Sequence, residues 1–137
     1  MANKNRLARG FVFVLVCGLA IAGCDGVMNT EKGYTFKFKV DNNTSQTITK
    51  LEFINGDTRN DNVLSSSSES VSPGKRSMQF IVSGFTVDDY DDGTRIFGVK
   101  ATFEDGSNAF GWSYAGHEEK ILASVYSYGV FFRRGNW

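Results

Sequence analysis

The sequence contains little cysteine, histidine or proline: its 137 residues include two cysteines, one histidine and one proline. Both cysteines, Cys17 and Cys24, lie near the amino terminus. The rest of the chain therefore has no thiol for a disulfide, a cysteine zinc site or a cysteine nucleophile. No segment carries an apolar stripe of helical period over three turns, which argues against a fold based on packed helices. A domain without disulfides depends on its own apolar core.

The amino-terminal residues have the three parts of a secretory signal peptide. Lys4, Arg6 and Arg9 supply positive charge, and an apolar segment of twelve residues follows at residues 11–22. A helix of that length rises about 18 Å, which is well short of the roughly 30 Å hydrocarbon core of a bilayer. We therefore expect this segment to engage the export machinery and not to remain as a permanent span.

The apolar segment ends in Ala-Ile-Ala-Gly-Cys at residues 20–24. This pattern resembles the lipobox of bacterial lipoproteins, in which an aliphatic residue and two small residues precede the cysteine that receives the lipid. The resemblance covers only the leader. It implies cleavage between Gly23 and Cys24 and a diacylglyceryl group on the Cys24 thiol, with further acylation of the new amine by a chain such as palmitate. Two or three acyl chains give stable anchoring; a plain signal peptide that is cut elsewhere is the alternative.

The same resemblance implies a location in the bacterial cell envelope. Asp25 follows the lipid-bearing cysteine, and in enterobacterial lipoproteins an aspartate there resembles the signal for retention in the inner membrane. Other bacterial groups sort by different rules, so the inner membrane, the outer membrane and the cell surface all stay open.

The predicted organisation has three parts: a signal peptide at residues 1–23, a lipidated cysteine with a short tether at residues 24–33, and a β-domain at residues 34–137. Nine extended tether residues reach at most about 30 Å, which keeps the domain close to the membrane. Loss of the three leader cations leaves 12 basic against 15 acidic residues. This balance argues against a nucleic-acid partner, and it predicts no polybasic patch for an anionic membrane surface.

Most of the remaining sequence alternates apolar and polar residues with a period of two, as half-buried β-strands do. The segments with this pattern are residues 34–40, 47–54, 76–82, 97–103, 110–114 and 121–133, the last interrupted at Gly129. Six or seven strands predict an all-β fold, namely a small antiparallel β-sandwich of immunoglobulin-like architecture. A small β-barrel is the alternative.

A serine-rich stretch interrupts this pattern at residues 65–70. Serine side chains offer too little apolar area to offset the entropy of ordering the chain. The stretch therefore predicts a mobile loop, with Val71 making a brief contact with a sheet edge.

Asp105 and Gly106 separate two alternating segments and predict a β-hairpin, because both central residues of the tightest turns need positive φ. Alternation alone favours Phe110, Trp112 and Tyr114 as core residues of the returning strand. The alternative is an exposed aromatic row that stacks on sugars or anchors a protein partner.

The densest acidic cluster contains Asp88, Asp89, Asp91 and Asp92. Hard oxygen ligands at this density can form a cation-binding loop for Ca²⁺, but the spacing excludes an EF-hand. A solvated acidic loop is the favoured interpretation, since runs of like charge repel and stay hydrated.

His117 is the single histidine and is followed by Glu118 and Glu119. A general base oriented by a carboxylate, or a metal ligand, is one interpretation. No spacing motif supplies further metal donors, so we favour a polar connection between strands and predict no metal site and no cofactor.

The carboxyl-terminal quarter is rich in aromatic residues. Phe131 and Phe132 are adjacent, and adjacent strand residues face opposite ways, so one of the two should point out of the core. Together with Trp137 they form the predicted exposed apolar patch.

These observations favour a lipid-anchored, non-catalytic binding or interaction module whose partners are the membrane, through the lipid on Cys24, and an envelope protein or glycan. One alternative is a structural accessory subunit that pairs an open sheet edge with a larger envelope complex. Another is a small hydrolase that uses His117.

Overall fold

The computed structural model describes residues 33–88, 93–116 and 119–137. The predicted signal peptide, its cleavage site, Cys24 and nearly all of the tether lie outside these residues. Asp89, Asp91, Asp92, His117 and Glu118 lie outside them as well. Within the described ranges, no helix has the length and apolar character needed to cross a bilayer.

The described chain folds into eight strands and no helix, which confirms the all-β prediction. The strands are β1 (Tyr34–Asn42), β2 (Ile48–Asn55), β3 (Val63–Ser67), β4 (Phe80–Phe85), β5 (Arg95–Phe103), β6 (Asn108–Ala115), β7 (Lys120–Tyr126) and β8 (Gly129–Arg134). They form two four-stranded sheets, in the orders β4-β1-β7-β8 and β3-β2-β5-β6. The arrangement is a β-sandwich and not a closed barrel. It has one or two strands more than the sequence predicted.

The pairing is antiparallel except between β1 and β7, which run parallel from Lys37 opposite Lys120 to Asn42 opposite Val125. The alternating pattern of β1 places Phe36, Phe38 and Val40 in the interior, where all three side chains are fully buried. The lysines between them project to the outer face, as the period of two requires.

The additional strand β3 occupies the start of the segment predicted as a mobile loop. Leu51, Glu52 and Phe53 of β2 pair with the three serines at residues 65–67, because backbone hydrogen bonds order a strand whatever its side chains are. The loop prediction is therefore wrong for these residues. The predicted edge contact of Val71 is confirmed, since Val71 and Ile48 exchange two backbone hydrogen bonds of 3.0 Å.

The hairpin predicted at Asp105 and Gly106 joins β5 to β6. Gly106 has a φ of 86°, whereas Asp105 is not among the residues with positive φ. The amide of Gly106 donates to the Phe103 carbonyl at 2.9 Å. A longer hairpin loop, in which the turn is followed by a glycine in the left-handed conformation, needs positive φ at that glycine alone. The hydroxyl and amide of Ser107 both donate to the Asp105 carboxylate and lower the pKa of Asp105.

The prediction that Phe110, Trp112 and Tyr114 fill the core is wrong. The inward positions of β6 are held by small residues, including Ala109 and Ala115, which are buried. Gly111 shows why: an ideal Cβ on it would lie 1.9 Å from the Val130 carbonyl oxygen of β8. The two edge strands approach too closely for large side chains between them, so the aromatic residues of β6 face outward.

The core lies between the sheets and is rich in phenylalanine. Phe38 of β1 contacts Phe53 and Phe97 of the opposite sheet, at ring-centroid distances of 4.8 and 5.5 Å. Residues Lys32–Trp137 form a compact unit, and this unit contains both sheets and the whole described core. We therefore expect it to fold without the leader.

Candidate functional site

The candidate site lies where the two sheets end side by side. β6 and β8 are edge strands of different sheets and meet at the close approach of Gly111 to Val130. Several large aromatic side chains are exposed along this border, and three of them surround one groove: Trp112 at 48%, Tyr128 at 77% and Phe131 at 53%. We refer to these three residues as the aromatic edge. Burying such side chains against a partner removes a large apolar area from water.

A groove of about 510 Å³ runs along the aromatic edge. All three of its residues line the groove, together with the polar side chains of Asp57 and Ser113. The site thus combines flat apolar surfaces with a carboxylate and a hydroxyl that can form directional hydrogen bonds. A few polar groups within an aromatic lining are typical of ligand sites.

Neighbouring rings hold part of the edge in place. Tyr126 and Tyr128 stack at 5.5 Å between centroids, and Phe131 meets them edge-on at 5.8 and 5.9 Å. Aromatic pairs in these arrangements attract each other beyond the effect of area burial. The aromatic edge is therefore partly preorganised, which reduces the entropy lost when a partner binds.

The predicted patch of Phe131, Phe132 and Trp137 is not one surface in the structure. Phe132 packs against Phe97 of the core at 4.9 Å in a T-shaped contact and is partly buried, although it also lines the groove. Trp137 lies elsewhere, where its indole nitrogen donates to the Gln79 Oε1 at 2.6 Å. Of the three predicted residues, only Phe131 belongs to the aromatic edge.

Sequence reasoning did not select Trp112 or Tyr128 as site residues, although an exposed aromatic row that includes Trp112 was the alternative to a core position. Trp112 was assigned to the core because alternation does not say which face of a hairpin is inside. Tyr128 follows Ser127 in the turn between β7 and β8. A large aromatic residue beside a glycine at a tight turn was the available signal, because turn tips lie at the surface.

The acidic cluster is only partly described. The Asp88 carboxylate forms an ion pair with Arg95 of β5, whose guanidinium also lies 4.1 Å from the Tyr34 ring centroid. Asp88 therefore helps to cover one end of the core, where the side chain of Arg95 is buried. In the part of the chain that the structure describes, no group of three His, Cys, Asp or Glu side chains could hold a metal ion.

The region around His117 is described only at its margins. Glu119 accepts a hydrogen bond of 3.0 Å from Arg134. This carboxylate is thus engaged with the end of β8.

No family model and no curated protein matches this sequence. Among solved structures, the chain is similar to the NMR structure of a protein from Eubacterium rectale, with 13% sequence identity and a TM-score of 0.46. The match covers 75% of this chain and 92% of the other.

Proposed function

We propose that the protein is a lipid-anchored, non-catalytic binding module of the bacterial cell envelope and that the aromatic edge is its contact surface. The observation that carries the proposal is the exposure of Trp112, Tyr128 and Phe131 around one groove. Clusters of large aromatic side chains that become buried when a partner binds dominate the affinity of many interfaces. The lipobox pattern at residues 20–24 supports the anchor and the location.

The chemistry of the groove suits a glycan or the surface of an envelope protein. Aromatic faces stack on the C–H faces of sugar rings or receive apolar anchors of a protein. The Asp57 carboxylate beside them accepts hydrogen bonds from hydroxyl or amide groups. Specificity then comes from these few polar groups, and affinity comes from the aromatic area.

Tryptophan fluorescence tests the contact surface. The chain contains two tryptophans, so Trp137→Phe in residues 25–137 leaves Trp112 as the single indole emitter. We expect a saturable shift of its emission with one of three probes: short neutral oligosaccharides, soluble peptidoglycan fragments, or detergent-solubilised envelope proteins. Tyr128→Ala and Phe131→Ala should each weaken this binding by about tenfold.

Met78→Ala is the matched control, because Met78 is 59% exposed and lies next to β4, at the opposite edge of its sheet. It should leave the affinity unchanged. Two results would disprove the aromatic edge as the contact surface. One is an emission spectrum that changes with none of the probes, and the other is a binding affinity that neither aromatic substitution changes.

Cell fractionation tests the anchor. Cys24→Ser removes the thiol that would carry the lipid and should release the folded domain from membranes washed with high salt, or stall its processing. Ala22→Ser is the control, because it changes a neighbouring residue and keeps the cysteine. Attachment of the Cys24→Ser protein that stays undiminished after a high-salt wash, which removes proteins held by charge alone, would refute the lipid anchor.

A further inference from the structure

The outer face of one sheet carries an excess of positive charge. The strands β4, β1, β7 and β8 contain one acidic residue, Asp41, and the basic residues Lys37, Lys39, Lys120, Arg133 and Arg134. All of these basic residues except Arg134 either neighbour a core residue in their own strand or pair with an outward-facing residue of the next strand. They therefore lie on the outer face of the sheet. We call Lys37, Lys39, Lys120 and Arg133 the basic face.

Acidic side chains do not neutralise this face. The Asp41 carboxylate is held by Arg76, at 2.6 and 2.9 Å. Lys37, Lys39 and Arg133 form no ion pair with any residue in the described ranges. These three cations therefore have no carboxylate partner among the described residues, whereas the Lys120 ammonium donates to the Trp137 carbonyl oxygen. The predicted mature chain is nevertheless net negative.

The opposite sheet shows the contrast. Lys50 and Lys100 on its strands both lie close to Glu52, at 3.4 and 3.6 Å. The charges of both lysines are thus partly neutralised in place. The asymmetry between the two outer faces is a property of the fold and not of the overall composition.

Apolar and amphipathic side chains accompany the cations of the basic face. Ile81 on β4 is 62% exposed, and its partner in the β1 register is Lys37. The Trp137 ring lies 5.2 Å from the Lys39 nitrogen and 5.9 Å from the Lys120 nitrogen. Cations attract anionic headgroups, and tryptophan is favoured at the boundary between headgroups and acyl chains. A surface that combines both kinds of residue fits a bilayer better than it fits a neutral protein.

We propose that the basic face lies flat against an anionic lipid bilayer. The inference rests on the proposed function in one respect, namely that a lipid on Cys24 brings the domain to the membrane. The tether leads directly into β1, which is a strand of this sheet, and it reaches at most about 30 Å. The opposite face of the sandwich, which carries Trp112, then points away from the membrane. The outward side of β8 carries Phe131 as well as Arg133, so Trp112 is the part of the aromatic edge that stays open to a partner.

Vesicle binding by unlipidated residues 25–137 tests this orientation, since the described unit contains the whole core. The domain should sediment with vesicles of phosphatidylglycerol and phosphatidylcholine, and it should be released by salt. It should not sediment with vesicles of phosphatidylcholine alone. Lys37→Glu with Lys39→Glu should lower the partition onto anionic vesicles at least about tenfold, because each cation near the surface contributes about a fivefold increase in binding.

Lys50→Glu with Arg59→Glu is the matched control, because it makes the same change of net charge away from the basic face. It should leave the partition nearly unchanged. Lys37→Gln with Lys39→Gln, checked by circular dichroism, gives a milder loss if the double reversal fails to fold.

Three results would overturn the proposal: no binding to anionic vesicles, equal losses in the two charge-reversed proteins, or tighter binding to soluble polyphosphate than to the vesicles. The last would identify an acidic polymer as the occupant. The vesicle assay contains no lipid anchor, so its failure is distinguishable from a failure of Cys24 lipidation, which fractionation of cells measures separately.

Discussion

Phe38→Ala should destabilise the domain by about 3–5 kcal/mol. Phe38 is fully buried, and its ring lies 4.8 Å from Phe53 and 5.5 Å from Phe97, both in the opposite sheet. Truncation therefore opens a cavity between the sheets, where the surrounding strands cannot collapse freely. A domain of this size has a total stability of about 5–15 kcal/mol, so the loss is a large fraction of it.

Urea unfolding followed by circular dichroism measures this effect as a lower midpoint with little change in slope. Phe131→Ala is the matched control, because it makes the same chemical change at a ring that is 53% exposed. We expect a loss of about 1 kcal/mol or less there. Equal losses in the two proteins would contradict the placement of Phe38 between the sheets.

Gly111→Ala should be destabilising, although alanine is usually tolerated in a strand. The added Cβ would lie 1.9 Å from the Val130 carbonyl oxygen and 2.8 Å from its carbon. These are backbone atoms, so β8 itself must move away from β6. Forced repacking of this kind costs about 1–3 kcal/mol or more. Amide hydrogen exchange should show the loss of protection concentrated in β6 and β8.

Gly116→Ala is the control for this substitution. The nearest atom to its Cβ position would be the Glu119 Oε1, at 3.6 Å, which is an ordinary contact. Stability should change little. If both alanine variants were equally stable, β6 and β8 would not approach each other as closely as the structure places them.

Local sequence patterns predicted where the strands lie better than they predicted which side of each strand faces the core. The alternation in β1 identified Phe36, Phe38 and Val40 as core residues, because the polar side chains between them leave only one apolar face. In β6 the alternate positions offer two plausible inner faces, one aromatic and one of small residues. The choice depends on the approach of Val130 to Gly111, which are neighbours only after folding. Alternation could not reveal it.

The same limit applies to the surfaces. The predicted net charge of the mature chain suggested that no polybasic patch exists, yet Lys37 and Arg133 reach one face from strands that are distant in sequence. The aromatic edge likewise joins Trp112 of β6 to Tyr128 of the following hairpin. Of the aromatic edge, only Phe131 was in the predicted patch, and the rule that adjacent strand residues face opposite ways does not say which of Phe131 and Phe132 faces outward.

The anchor is the premise on which the envelope location depends, and the intact mass of the mature protein tests it most directly. Protein extracted from membranes of its source organism should begin at Cys24. Its mass should exceed that of residues 24–137 by a diacylglyceryl group, with or without a further acyl chain. A mature chain of unmodified mass, or one that begins at any residue other than Cys24, would contradict the account.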